Sequence, residues 1–449
     1  MDTCSRKPRN LHCGETRTSK TRRALQTRIQ ALFLVACFFA VAGASAPASR
    51  ATLTGKVVDS IGKPLDHATV LVYHAGVKTG YSTYCPSCYI DCGKRTVTDA
   101  AGAFSIKDLS PDLLFELLVV RDGYFSSFVK SVDPSKGPAP AAILNTRHPV
   151  TDPERVVRGR VVDAHGLPLR DAVVQPQGIL INDEKSGHIA MYGTVDGLDL
   201  IAVTNNKGDF EVSYDRSALK VLLLVEARGL APKVFNQLPT GLERQTLTMT
   251  DGATVRGRLI ENGKPVGGAQ IGLVPRQRGF GAELKLYGSP YAEIRIGTQP
   301  DGTFLIPNVP APVEWYIYGT MESTATRGGT GPVECVTKTD NEDVNVGDIH
   351  ITPGFRLRGK VVLSDGKSIA DGMRVFISAD TTQDSQTALL RPDGSFEFAG
   401  LASGKYVVAA SVKGYRPLQW DYRSGQDRPG TVQIDRDKAE FVLVLDPVK

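Results

Sequence analysis

The feature that most constrains this chain is an internal repeat. A block reading Thr54-Gly55-Lys56-Val57-Val58-Asp59, Gly62-Lys63-Pro64, Ala68-Thr69-Val70 returns as Arg158-Gly159-Arg160-Val161-Val162-Asp163, Gly166-Leu167-Pro168, Ala172-Val173-Val174. The third copy is Arg256-Gly257-Arg258-Leu259-Ile260-Glu261, Gly263-Lys264-Pro265, Ala269-Gln270-Ile271, and the fourth is Arg358-Gly359-Lys360-Val361-Val362, with Ile369 in place of the proline. The opening glycines lie 104, 98 and 102 residues apart. A second block follows each first one and ends Gly102-Ala103-Phe104, Gly208-Asp209-Phe210, Gly302-Thr303-Phe304 or Gly394-Ser395-Phe396. A chain that rewrites itself every hundred residues is built from like modules, each large enough to bury a core.

Leu53, Gly55 and Val57 share one face of an extended chain, as do Ala68, Val70 and Val72, the period-2 pattern of half-buried strands. Asp-Gly and Asn-x-Gly positions supply the positive φ of tight hairpins, and Gly-x-Pro marks a connection that cannot donate to a ladder. Helical periodicity is absent beyond residue 46. The expected fold is all-β: four tandem antiparallel β-sandwich domains over 47–150, 151–250, 251–353 and 354–449, after a signal peptide at 1–46.

The order Gly-x-Val-x-Asp, Gly-x-Pro-x-x-x-Ala-x-Val, Thr-x-x-x-Gly-x-Phe, Gly-x-Tyr resembles the carboxypeptidase regulatory-like domain family over nearly all of residues 50–449, most strongly in the first and fourth copies. The resemblance implies an Ig-like, transthyretin-like or starch-binding-like sandwich. It also implies an accessory role, since such domains accompany many exported proteins.

The formal charge of +5 is unevenly placed. Residues 1–46 hold eight basic side chains and two acidic ones, leaving 45 basic against 46 acidic in the rest, so nucleic acid is not an expected partner. The basic stretch runs into Ala31–Ala42, an apolar run short for a permanent anchor. It closes on Ala44-Ser45-Ala46, and cleavage after Ala46 is expected. Leu34-Val35-Ala36-Cys37 offers a competing reading as a lipobox, with Cys37 lipidated. No later run approaches a membrane span, so the mature chain is expected to lack one.

Carboxypeptidases that carry such domains bind zinc through His-x-x-Glu. The one instance here, His12-Cys13-Gly14-Glu15, falls in the leader, and the remaining histidines show no metal-pair spacing. Gly400-Leu401-Ala402-Ser403-Gly404 has its serine one place late for a nucleophile elbow, and no phosphate loop is present. No catalysis, metal or cofactor is expected.

The expected mature chain keeps four cysteines: Cys85, Cys88 and Cys92 in one inter-strand segment, and Cys335. In an exported protein these read as disulfide candidates, with one local bond and one leftover thiol that is free, paired to Cys335 or intermolecular. The opening glycine and turn glycine are 47, 49, 45 and 35 residues apart in successive copies, so the first three carry extra sequence at a shared place. Such insertions are either a ligand-facing surface or extra strands widening the sheet. Candidate ligand-binding aromatics are Trp420, Tyr415 and Tyr422 in the last copy and Tyr84 and Tyr89 in the first, against a core-packing reading of the same rings.

The function expected is that of an exported, non-enzymatic protein, periplasmic, cell-surface or secreted. Its modules serve binding, adhesion or scaffolding in the cell envelope, with protein or glycan partners. The alternative is a carbohydrate-binding protein of the periplasm or cell surface.

Overall fold

In every copy the opening glycine of the first block stands directly across an antiparallel ladder from the phenylalanine of the second. The register pairs Gly55 with Phe104, Gly159 with Phe210, Gly257 with Phe304 and Gly359 with Phe396. A side chain on any of these glycines would come within 2.7 Å of that ring. The missing Cβ therefore lets a large aromatic lie flat over the strand, and the four rings are buried. The turn glycine that precedes each phenylalanine is equally constrained. Gly102 has φ 68°, and a Cβ there would strike the Val57 carbonyl and Pro64. Gly208 and Gly302 meet Pro168 and Pro265 in the same way, while Gly394 meets Ile369, which fills the space of the absent proline. The scattered glycines and prolines of the repeat are thus one packed unit.

The computed structural model describes residues 49–183, 187–276, 293–417 and 429–448. Ala48–Lys449 forms one compact unit. Residues 1–48, with Cys37 and Ala46, lie outside the described residues. The chain folds into tandem β-sandwiches, whose described strands form eight sheets enclosing four main apolar cores.

One sheet of each sandwich places the opening strand centrally (Ala51–Asp59, Val156–Val162, Ala253–Glu261, Phe355–Leu363), between the strand carrying the phenylalanine and the closing strand of the module. Within this mainly antiparallel architecture the ladder to the closing strand is parallel in all four sandwiches. The closing strand crosses over from the far sheet and so arrives in the direction of the opening strand. The facing sheets are antiparallel and centred on runs such as Thr69–Val77 with Leu113–Val120.

A buried threonine joins the two sheets. Thr98 Oγ1 accepts the Ala68 N–H at 2.9 Å and donates to the Leu65 carbonyl at 2.7 Å. Thr204 and Thr298 repeat both bonds, and Leu390 stands at that place in the fourth copy. In the second and third copies the residues flanking the opening glycine point outward and are ion-paired: Arg158 to Glu211, Arg160 to Asp209, Arg256 to Asp343 and Arg258 to Asp348, all at 2.8–3.0 Å. Each exposed pair contributes little stability, but the neutralised ladder keeps these cations from forming a free basic patch.

Phe210→Ala should destabilise the second sandwich by about 3–5 kcal/mol, and Gly159→Ala by about 1–3 kcal/mol through overpacking. Denaturant titration with hydrogen exchange read on Val156–Val162 measures both. Unchanged protection of that strand would refute the pairing as its main support.

Candidate functional site

The sequence between Val77 and Lys94 contains no regular strand, so its backbone polar groups must find partners elsewhere. Ala75 N–H donates to the Pro86 carbonyl at 2.9 Å and Gly93 N–H to Val72 at 2.8 Å, pinning both ends of a loop onto Thr69–Val77. Cys85 and Cys88 form a disulfide across a turn, with Cα atoms 5.1 Å apart. Cys92 is free, buried in the first core, and directs its thiol toward the Pro86 carbonyl at 3.3 Å. Burial pushes that thiol up to about 11, with opposing help from Arg228. Cys335 is a free thiol in the third core, likewise pushed up to about 11 by burial.

Beneath the loop, Asp91 is fully buried. Burial opposes its charge, but Lys94 at 2.8 Å, the Ser110 N–H at 3.0 Å and Arg50 outweigh that effect and hold its carboxyl below the usual range.

The loop reaches two further sandwiches. Arg228 of the second donates to the carbonyls of Ser87 and Tyr89 at 3.2 and 3.4 Å. Gly297 of the third donates its N–H to the Ser82 carbonyl at 2.5 Å. The second and third sandwiches are joined directly by Asn308, whose amide donates to the carbonyls of Gly229 and Asp251, both at 2.9 Å. Between the first and second, the outward faces of neighbouring sheets meet in an apolar seam of Leu71, Leu118 and Val173 with Tyr73, Phe128 and Ile201, flanked by an Arg95–Asp171 ion pair at 2.7 Å. At the third–fourth junction Asp384 accepts the Met321 N–H at 2.5 Å, and Gln386 donates to the Met321 carbonyl at 3.0 Å.

An open groove of about 640 Å³ runs between the loop and the third sandwich, lined by Tyr84, the disulfide, Arg258, Leu305, Asn345 and Asp348. Tyr84 is 60 % exposed and Leu305 52 %. Tyr89 stands beside Tyr84 with ring centroids 5.6 Å apart, but it is half-buried and its hydroxyl meets Ser82 Oγ. Tyr415 packs against the fourth core and donates to Asp365 at 2.9 Å. Trp420 and Tyr422 lie outside the described residues. Trp315, the remaining tryptophan, is fully buried and donates its indole N–H to Thr337 at 3.0 Å.

The three insertions differ in form. The first is this irregular loop. In the second, Val173–Asp183 and Gly187–Tyr192 pair as a hairpin and widen the sheet. Most of the third, 277–292, lies outside the described residues. Among the described residues no three His, Cys, Asp or Glu side chains gather where they could hold a metal ion, and no helix is long and apolar enough to cross a membrane. Of the residues that tie the modules together, Arg228 and Asp384 carry no motif signal in the sequence, while Asn308 stands four residues after the repeated phenylalanine, where Asp108 and Gly400 stand in other copies with the same positive φ.

A family model described as the second β-sandwich domain of the NOMO1-like subunit of the BOS complex matches residues 352–423. No curated protein matches the chain. Among solved structures, a streptococcal ancillary pilin is 12 % identical, with 65 % of this chain and 99 % of that one covered and a TM-score of 0.21. The Bacillus anthracis TIE protein is 10 % identical over 85 % and 68 %, with a TM-score of 0.18. The major pilin subunit BcpA of Bacillus cereus is 10 % identical over 68 % and 100 %, also with a TM-score of 0.18.

The Asp384 junction predicts a pH response. Burial, then the nearby charge of Glu293, raises its carboxyl to about 6 from 3.8, against the N–H groups of Met321 and Ser385 and the charge of Arg295. A raised carboxyl contributes stability that is present below about pH 4 and lost as pH rises through about 6. The side chain is 3 % exposed, so the difference is about 3 kcal/mol. The unfolding free energy of the unaltered chain relative to Asp384→Asn should therefore fall by that order between pH 4 and pH 7. An unchanged difference across that range would refute the assignment.

Proposed function

We propose that the chain is an exported, non-enzymatic protein of four sandwich modules, with boundaries near 150, 250 and 353, that serves as a binding or scaffolding element of the cell envelope. The observation that carries this reading is the set of ties between modules. A scaffold must hold its parts at fixed separations, and here the disulfide-closed loop of the first module hydrogen-bonds to the second and third, while Asn308, Asp384 and Gln386 tie the later ones. Each tie uses a side chain or backbone group specific to its junction, in place of a flexible linker. The carboxypeptidase regulatory-like resemblance of the repeat, the basic leader and the apolar run that follows it support the same reading. A disulfide in the first module suits an oxidising compartment.

Fractionation of cells making the whole chain should find it outside the cytoplasm. Cys85 and Cys88 should resist maleimide until reductant is added. Recovery in the cytoplasm with both thiols reactive would defeat the proposal. For the module ties, calorimetry of the unaltered protein should show coupled unfolding of the second and third sandwiches, and Asn308→Ala should separate their transitions.

Carbohydrate binding is a second reading, favoured by the exposed Tyr84 ring beside a groove that also presents Arg258, Gln299, Asn345 and Asp348. An aromatic plane next to polar groups is the arrangement that stacks on a sugar ring and bonds its hydroxyls. On a glycan array, Tyr84→Ala should weaken any ligand found at least tenfold, by loss of stacking. An array with no ligand leaves the scaffold reading in place.

A further inference from the structure

Beside the groove lies a second, smaller space of about 250 Å³, where the first three sandwiches meet. Its walls are largely apolar, formed by Tyr73, Leu224, Leu230, Ile294, Ile306 and Pro310. Five carboxylate, imidazole or guanidinium side chains also line it, and three of them are matched. His74 is bonded to Glu116 at 3.0 Å. Glu293 and Arg295 pair with each other at 2.7 Å, and Glu293 also accepts the Tyr318 hydroxyl at 2.6 Å.

The other two are Glu226 and Arg228. Glu226 is half-buried and, among the described residues, accepts only the Gln175 amide, at 3.3 Å. Burial, with Glu116 adding to it, raises its carboxyl against the pull of His74. Arg228 donates to two main-chain carbonyls. Among the described residues neither has an ion-pair partner.

We propose that this cavity binds a small zwitterion with an apolar side chain, a free α-amino acid or a dipeptide, with Glu226 receiving its ammonium and Arg228 its carboxylate. A half-buried carboxylate without a counter-ion is costly, and a bound ammonium removes that cost. Glu226 ends the strand Lys220–Glu226 and Arg228 sits in the turn that follows it, so one strand end presents a carboxylate and a guanidinium to the cavity. The two ends of an amino acid each offer a charge-assisted hydrogen bond to such a pair of opposite charges. The apolar walls receive the side chain, and a volume at the small end of ligand cavities suits a single residue better than a polymer. The disulfide loop forms one wall through Cys85, Pro86 and Ser87, so the site exists only when all three modules are assembled.

Isothermal titration and thermal shift on the whole chain, with L-leucine, L-phenylalanine and leucyl-leucine, test this assignment. At least one should bind and raise the melting temperature by a few degrees. N-acetylleucine, which lacks the ammonium, and leucinamide, which lacks the carboxylate, should each bind at least tenfold more weakly. These two comparisons use the unaltered protein and do not depend on any variant folding. Glu226→Gln should lose at least tenfold in affinity while retaining the unliganded melting profile. Absence of binding by all twenty amino acids and the dipeptide would overturn the proposal. So would leucinamide or N-acetylleucine binding as tightly as leucine, or undiminished binding by a folded Glu226→Gln protein.

Discussion

Each sandwich is organised around a contact made across one antiparallel ladder, an aromatic ring laid over a residue that has no side chain. Glycine in a strand ordinarily weakens it through lost packing and excess unfolded-state freedom. Here Phe104, Phe210, Phe304 and Phe396 recover that loss by covering the backbone of the partner glycine with buried ring surface. The same contact fixes register, because a slip by one residue would set the ring against Lys56, Arg160, Arg258 or Lys360 and turn every inward side chain outward. The turn glycine and the proline or Ile369 beside it then seal the end of the sheet. The rest of the module, including the parallel closing strand, is assembled on that frame.

The second level of organisation lies between modules, and its chemistry is different. The first–second seam of Leu71, Leu118 and Val173 is apolar, with a guanidinium donor to loop carbonyls beside it, the second–third contact rests on an amide donor to a carbonyl, and the third–fourth contact holds a buried carboxylate. Apart from Val173, which lies in the repeated block, these groups are particular to their junctions. A common repeated core has thus been joined by three individual junctions, and the exposed groove and the enclosed cavity both occur where the first module's loop meets its neighbours.

This division accounts for what could be read in advance. The strands, turns and buried phenylalanines were legible because each is dictated by local pattern and written four times. The run Leu113–Val120 carried a further signal, since near-continuous apolar sequence marks burial on both faces, and Leu118 does face the second sandwich. The parallel closing ladders were not legible, because strand direction depends on which sheet the chain crosses to. Nor were Arg228, Asn308 or Asp384, single polar residues whose importance comes from a neighbour far away in sequence. Of the aromatic candidates, Tyr84 is exposed beside a groove while Tyr89 and Tyr415 are half-buried. Spacing alone could not separate these, since an exposed and a packed tyrosine occupy similar positions in an irregular segment.

The apolar outer face of the first sandwich has a consequence for the order of events during synthesis. The first module's strands precede Val173, Ile201 and Val203 in the chain, so Leu71, Leu118 and Phe128 stay uncovered until the second module folds against them. The sequence period is about a hundred residues, but covering the outer face of the first module takes the second module as well. A cut between the first two repeats would therefore expose an apolar face on each fragment.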